Sequence, residues 1–457
     1  MATPGPGQGS TTPPVPPALP ADVPIDHVIF IIKENRTFDH YFGTYPGADG
    51  ATTGGTMTCN ADKTVCEPGP VVPLKPALDV QPHDIEHGYF PGIASIDGGR
   101  MDGFNTIPRG GDLSGYTQFD RAGIPNYWKY ADRFVLTDRF FTSMYGPTYP
   151  EHLYTVAAQS DGIMDNKAQL APSPGRYCDD PLAYSPAFRQ NLTAEDARAI
   201  MGLQDQYNGD RTAIEDIIMK RYTHTIRSCF NIPTLPQKLS QAGVSWKFYS
   251  DVKFPIGDIL RAVRPIRHGS DWNNVVASNT FLSDIRHGDL ASVSWVNPPA
   301  IYNEHPELPG RVMSVCAGED WSVEVMNAIQ RSPDWESTVV VMIWDDFGGF
   351  YDHVVPPRYD IMGLGPRTPG LIMSPYSRVG SNALGGSIDH TTYEFSSVLH
   401  FIEEIFGIQP MTDRDRLANP LLGALDFNAP PRLDPLILPI RKGKDCPYFP
   451  GPVRIPN

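Results

Sequence analysis

Two stretches of this chain are apolar at every position over the length of a strand: residues 28–32 in "HVIFIIKEN" and residues 339–344 in "VVVMIWDD". A strand with one wet face alternates apolar and polar residues. A run that is apolar throughout is buried on both faces, which asks for a sheet with cover on each side. Other strand-like runs lie at 243–250, 291–297, 338–344 and 369–374, and helical patterns recur near 126–133, 152–160, 193–201 and 210–222. Their alternation predicts an α/β fold with a mostly parallel or mixed central sheet and helices on both faces. Residues 44–125, rich in Gly, Pro, Asp and Thr, are expected to be long loops carrying short elements.

Both apolar runs stop at polar pairs, Glu34-Asn35 and Asp345-Asp346. Two adjacent carboxylates at the end of a buried strand raise each other's cost of ionisation unless a cation sits between them. Neighbours within a regular strand face opposite sides, so neither pair can close on one ion from inside its strand. At a strand end they can, and Gly348 and Gly349 free the backbone to turn both acids inward. Three carboxylates and an amide oxygen form a hard oxygen site for a divalent cation. For one such pair alone, an ordinary turn would explain the acids; two matching strand ends favour the metal.

The formal charge of −15 and the pI near 5.2 argue against nucleic acid and anionic membrane surfaces as partners. No apolar run approaches the roughly 20 residues of a membrane helix. Residues 1–24 read as a disordered Pro-rich linker, residues 25–430 as a single catalytic domain, and 431–457 as a Pro-rich tail packed on it. Six cysteines spread over loops, with no CxxC or Cys/His zinc spacing, fit three disulfides and a secreted or periplasmic protein. The preferred pairing is Cys59–Cys66, Cys178–Cys229 and Cys316–Cys446, one of many that six cysteines allow. In "DHTTYEFSSVLHFIEEIFG", Thr391 and Glu394 are expected to form a capping box before a core helix that Gly407 ends. His390 stands at the entrance of that helix as a capping or packing residue.

The segments "IIKENRTFDHYFG", "RMDGF", "GPTYPEHLY", "EHP", "WDDFGGFYDHVVPP" and "DHTTYEFSSVLHFIEEIFG" together, in this order from residue 28 to about 407, resemble the secreted bacterial phosphoesterase family. That family spans phospholipases C and acid phosphatases, with plant non-specific phospholipases C as relatives. The resemblance implies an alkaline-phosphatase-like α/β fold and one divalent metal ion, whether calcium, zinc or manganese, held by Glu34, Asn35, Asp345 and Asp346. A ligand role for Asn35 also sets aside the glycosylation sequon spelled by Asn35-Arg36-Thr37. Thr148 falls where the family has its nucleophile, with Ser143 as the fallback, and a bound metal would make its hydroxyl reactive. Glu151 stands where many relatives have Asn, which leaves that edge of the pocket open.

His87 and His305 match active-site histidines, suited to protonating a leaving alcohol or donating to phosphoryl oxygens. His268 and His353 are weaker candidates for substrate binding. The i,i+4 pair His83 and His87 could bind zinc on a helix, but no HExxH glutamate accompanies it. The implied activity is hydrolysis of phosphate esters through a phosphothreonyl intermediate, with phospholipid head groups as the leading substrates. A broad acid phosphatase is the alternative within the enzymes, and a non-catalytic metal-dependent phosphate receptor is the alternative outside them.

Overall fold

The computed structural model describes residues 23–60, 65–166, 168–169, 176–251, 257–307 and 310–448. All but the last two residues of the expected 1–24 linker lie outside these, as does the end of the tail from 449. Eight strands make the central sheet: β1 (His27–Lys33), β2 (Val135–Thr137), β3 (Trp246–Ser250), β4 (Val275–Ala277), β5 (Val293–Val296), β6 (Thr338–Trp344), β7 (Gly370–Met373) and β8 (Ser387–Asp389). Their order is β4-β3-β5-β1-β6-β7-β2-β8, and only β7 runs antiparallel to its neighbours. The expected mixed, mostly parallel sheet is therefore present, with β1 and β6 adjacent at its centre. The short strands β2 and β8, the last two in that order, have no run of their own long enough to be read from sequence.

The all-apolar runs divide their side chains between two cores. Val28, Phe30 and Ile32 of β1, with Val339, Val341 and Ile343 of β6, enter one. Ile29 and Ile31, with Val340, Met342 and Trp344, enter the other. On the first face lie helices Thr148–Ala157 and Phe395–Phe406; on the second lie Pro125–Arg133 and Val315–Ile329. In chain order these are α1 (Pro125–Arg133), α2 (Thr148–Ala157), α3 (Val315–Ile329) and α4 (Phe395–Phe406). Burying a branched aliphatic side chain this way contributes about 1.5–3 kcal/mol.

The three disulfides are Cys59–Cys66, Cys178–Cys229 and Cys316–Cys446, the pairing preferred from sequence. Cys316–Cys446 ties the C-terminal segment to the start of α3, where Leu438 N and Arg441 N also donate to Asn327 and Asp320. The capping of α4 differs from expectation. Glu394, not Thr391, is the N-cap, and its box partner is Ser397. The reason is competition: Thr391 N donates to Asp389 instead, while the Glu394 carboxylate holds Ser143 Oγ and Arg414 Nε.

One side chain of α4 makes the fold sensitive to pH. Glu403 is buried with neither carboxyl oxygen hydrogen-bonded among the described residues, and burial together with Asp415 pushes it up to about 9. An unfolded glutamate titrates near ~4.3, so the folded state binds the extra proton between about 4.3 and 9. Stability contributed by the protonated acid is complete below that window and is lost as pH rises through it. Glu403→Gln keeps the shape without the charge, so its melting temperature should fall less than the wild type's between pH 5 and 9. Parallel curves for the two proteins would contradict this.

Candidate active site

The register of β1 and β6 sets Lys33 opposite Trp344, so Glu34-Asn35 and Asp345-Asp346 leave the sheet side by side. Asp345 N donates to Lys33 O at 2.9 Å, and Asn35 N donates to Asp345 Oδ1 at 3.0 Å. Asn35 adopts a left-handed φ of 58°, which breaks the strand's alternation and lets both residues of the pair face inward. Gly348 has a φ of 57°, and a Cβ there would stand 2.7 Å from Asn35 O. Only glycine fits that close approach. All four side chains are buried.

Beneath them Lys33 is fully buried and donates to Glu304 at 2.5 Å, to Tyr127 Oη at 2.7 Å and to Gly318 O at 2.7 Å. Glu304 also accepts from Tyr41 and Trp344. With Glu34 N donating to Asn303 O at 2.8 Å, this network fixes the loop that carries His305 against the end of β1.

Thr148 is the first residue of α2, and its Oγ1 donates to Asp346 Oδ2 at 3.1 Å. Tyr149 N already donates to Asn166 Oδ1 and Pro150 has no N–H, so it is the positive end of the helix dipole that favours an anion such as a phosphoryl group here. Glu151 is turned to the loop before the helix. It is fully buried and accepts from Ser143 N and Met144 N, each at 3.0 Å, pinning the preceding loop. One turn beyond Thr148, His152 is fully buried, with Nε2 3.5 Å from Asp345 Oδ2 and 3.7 Å from Glu34 Oε1.

The chemistry of this cluster fits a cation. Glu34 Oε2, Asn35 Oδ1 and Asp345 Oδ2 are buried with no hydrogen-bond partner among the described residues. Burial and the charges of Asp345 and Asp346 hold Glu34 well above the ordinary carboxylate range. Burial and Asp345 push Asp346 up to about 7. Asp345 lies below its usual value: burial opposes ionisation, but His152 and the Asn35 amide outweigh it. Converging, desolvated acceptors of this kind are costly without a positive partner.

His87 and His305 stand together on the outer side, their rings 6.1 Å apart. His87 Nδ1 donates to Ile85 O at 2.6 Å, and Nε2 meets Asn35 Nδ2 at 2.8 Å. A neutral ring accepts there, which turns Asn35 Oδ1 toward the carboxylates. Burial lowers the His87 pKa, but Asp346 and Asp84 outweigh it and raise it to about 9. Positive charge beside Asp346 would cancel part of that push and favour the neutral ring. His305 accepts the Glu307 N–H on Nδ1 at 3.2 Å, which leaves its proton on Nε2. Burial lowers its pKa.

Other candidates do not join the cluster. His268 is exposed at the end of the short helix Arg264–Arg267. His353 bonds Asp39 at 2.7 Å in a separate ion network where fully buried Arg367 pairs with Asp352 and Asp39. His83 bonds Asp112 on a non-helical stretch, so it does not share an ion with His87. Ser143, the fallback nucleophile, donates its Oγ proton to Glu394 and accepts from Phe395 N. His390 is an exposed partner of Asp138. His152, in turn, was not singled out from sequence. Its signal was present: it lies four residues after Thr148, on the same helical face.

The family model for the phosphoesterase family matches residues 25–409. Phospholipase C A of Mycobacterium tuberculosis is 26% identical over 469 residues, covering 89% of this chain and 78% of that protein. Non-hemolytic phospholipase C of Burkholderia pseudomallei is 25% identical, covering 84% of this chain and 55% of that protein. Non-specific phospholipase C6 of Arabidopsis thaliana is 25% identical, covering 91% and 75%. Among solved structures, a protein in the alkaline phosphatase superfamily from Vibrio parahaemolyticus is similar at a TM-score of 0.36 and 9% identity, covering 91% and 74%. A likeness at that score carries no weight for the site. Among the described residues, no helix is long and apolar enough to cross a membrane.

Proposed function

The chain belongs to the phosphoesterase family and is a phosphoric ester hydrolase, and from that premise we propose that it is a secreted phospholipase C-type enzyme with Thr148 as nucleophile. The observation that carries the proposal is the Thr148 hydroxyl, 3.1 Å from Asp346 and at a helix N-terminus, beside buried acceptors that lack partners. Glu34, Asn35, Asp345 and Asp346 would hold one divalent cation. When bound, it supplies a Lewis acid that favours the ionised hydroxyl and offsets charge on the phosphoryl oxygens.

Thr148 Oγ1 attacks phosphorus as its proton passes to the Asp346 carboxylate. The bond from phosphorus to the leaving alcohol breaks on the opposite side; the Nε2–H of neutral His305 hydrogen-bonds the leaving oxygen while a water molecule gives it a proton. The hydroxide so formed attacks the phosphothreonine, and Thr148 recovers its proton from Asp346. His87 acts through Asn35, whose amide it orients.

Charge favours diesters over monoesters. Arg36 donates to Asn35 O beside the cluster, while Glu34, Asp84, Asp345 and Asp346 surround it with acids. A singly charged diester with a cationic head group suits such a site better than a dianionic monoester. The names of the relatives point the same way. The deciding assay compares para-nitrophenyl phosphorylcholine with para-nitrophenyl phosphate. Faster release from the diester is expected. Release from the monoester alone would make the protein an acid phosphatase, and release from neither would overturn the choice of phosphorylcholine esters as substrates.

A further inference from the structure

The cage implied by family resemblance contains oxygen donors alone, a set that calcium or magnesium would also satisfy. His152 changes that. Its ring is fully buried, and neither Nδ1 nor Nε2 has a hydrogen-bond partner among the described residues. A buried imidazole normally fixes its tautomer by bonding at least one nitrogen. The groups nearest to Nε2 are the carboxylates of Asp345 and Glu34, each with an oxygen that also lacks a partner.

The separations fit ligands of one ion. Donor atoms of His152, Glu34 and Asp345 all lie within 4.8 Å of one another. Nε2 is 3.5 and 3.7 Å from the two oxygens, too far for good hydrogen bonds. Neighbouring ligands about 2.1 Å from a common ion lie roughly 3.0–3.4 Å apart, depending on coordination number, so a small closure of these distances would seat both on one ion. His152 also shares a helix with Thr148, one turn away, so one rigid element presents both nucleophile and ring.

We infer that His152 is a nitrogen ligand of the cage, and that the resident cation is a nitrogen-preferring transition-metal ion of the zinc class and not calcium or magnesium. This rests on the cluster being a cation site at all. Imidazole suits zinc, iron, copper and nickel, whereas calcium and magnesium take oxygen.

The test uses the whole chain stripped with a chelator, and measures thermal shift and calorimetric binding with zinc, manganese, calcium and magnesium in turn. Zinc should stabilise the wild type at concentrations at least about 100-fold below those calcium needs, with manganese between them. His152→Gln should weaken zinc binding by about 10²-fold and leave calcium within a few-fold. Cobalt(II) should give the wild type a visible absorption band whose position shifts in the variant. Should the variant not fold, the wild-type ion ranking and the cobalt band decide alone.

Equal calcium and zinc affinity in the wild type would overturn the inference and leave an oxygen cage standing. So would unchanged or tighter zinc binding by His152→Gln, which would make the ring an internal positive charge. If none of the four ions shifts the wild type, the cation site itself is refuted, and the inference falls with it.

Discussion

Thr148→Ala should lower turnover by about 10³-fold or more, while Thr148→Ser stays within about tenfold of the wild type. The difference between the two variants isolates one oxygen. Serine keeps the hydroxyl that lies 3.1 Å from Asp346 and drops only a methyl group. Alanine removes the atom that would form the bond to phosphorus. Neither change disturbs the core much, because Thr148 sits at the first position of α2 and makes no capping bond there. Melting temperatures should therefore remain close to the wild type's, separating lost chemistry from lost folding. An acid-quenched reaction should also leave phosphate on the peptide containing Thr148 in the wild type and the serine variant, and on nothing in the alanine variant. If alanine and serine variants turn over alike, water attacks phosphorus directly, and Thr148 is only the start of a helix.

What the sequence makes legible here follows from how local each signal is. The two all-apolar runs announce buried strands because every residue must find cover, and alternate residues of β1 and β6 do enter opposite cores. Their polar ends converge because parallel neighbours in register deliver consecutive residues to the same point. The capping of α4 was less legible. Thr391 and Glu394 have capping-box spacing, but the Glu394 carboxylate is claimed by Ser143 and Arg414, partners remote in sequence. His353 belongs to a motif that also contains the active acids, yet its ring turns to Asp39, a pairing decided by the fold. His152 illustrates the converse. Nothing in its immediate neighbours marks it as different from a core histidine. Its importance lies in what β1 and β6 bring beside it, and in two ring nitrogens that the packed structure leaves without partners.

Asp346→Asn should remove most activity, by about 10²-fold or more, and remove most of the stabilisation that added metal gives the wild type. The substitution keeps size and shape and deletes one negative charge. In the chelated protein that charge stands beside Asp345 and Glu34 in a desolvated site, and each raises the cost of ionising the others. Deleting it should leave the metal-free variant as stable as the wild type, or more so. With metal the order reverses. A cation that binds only the folded state adds about 2.7 kcal/mol at 100 times its dissociation constant. The variant, short of one ligand charge, should gain much less at the same concentration. The Asp346 carboxylate also accepts the Thr148 hydroxyl and Gly348 N. An asparagine oxygen can keep only one of these bonds well, and it cannot take the nucleophile's proton. Thermal melts of both proteins, with chelator and with metal, should therefore cross, while turnover of the metal-supplied variant falls far below that of the metal-supplied wild type. A variant that turns over near the rate of the metal-supplied wild type would show that neither the cage nor the proton acceptor belongs to Asp346.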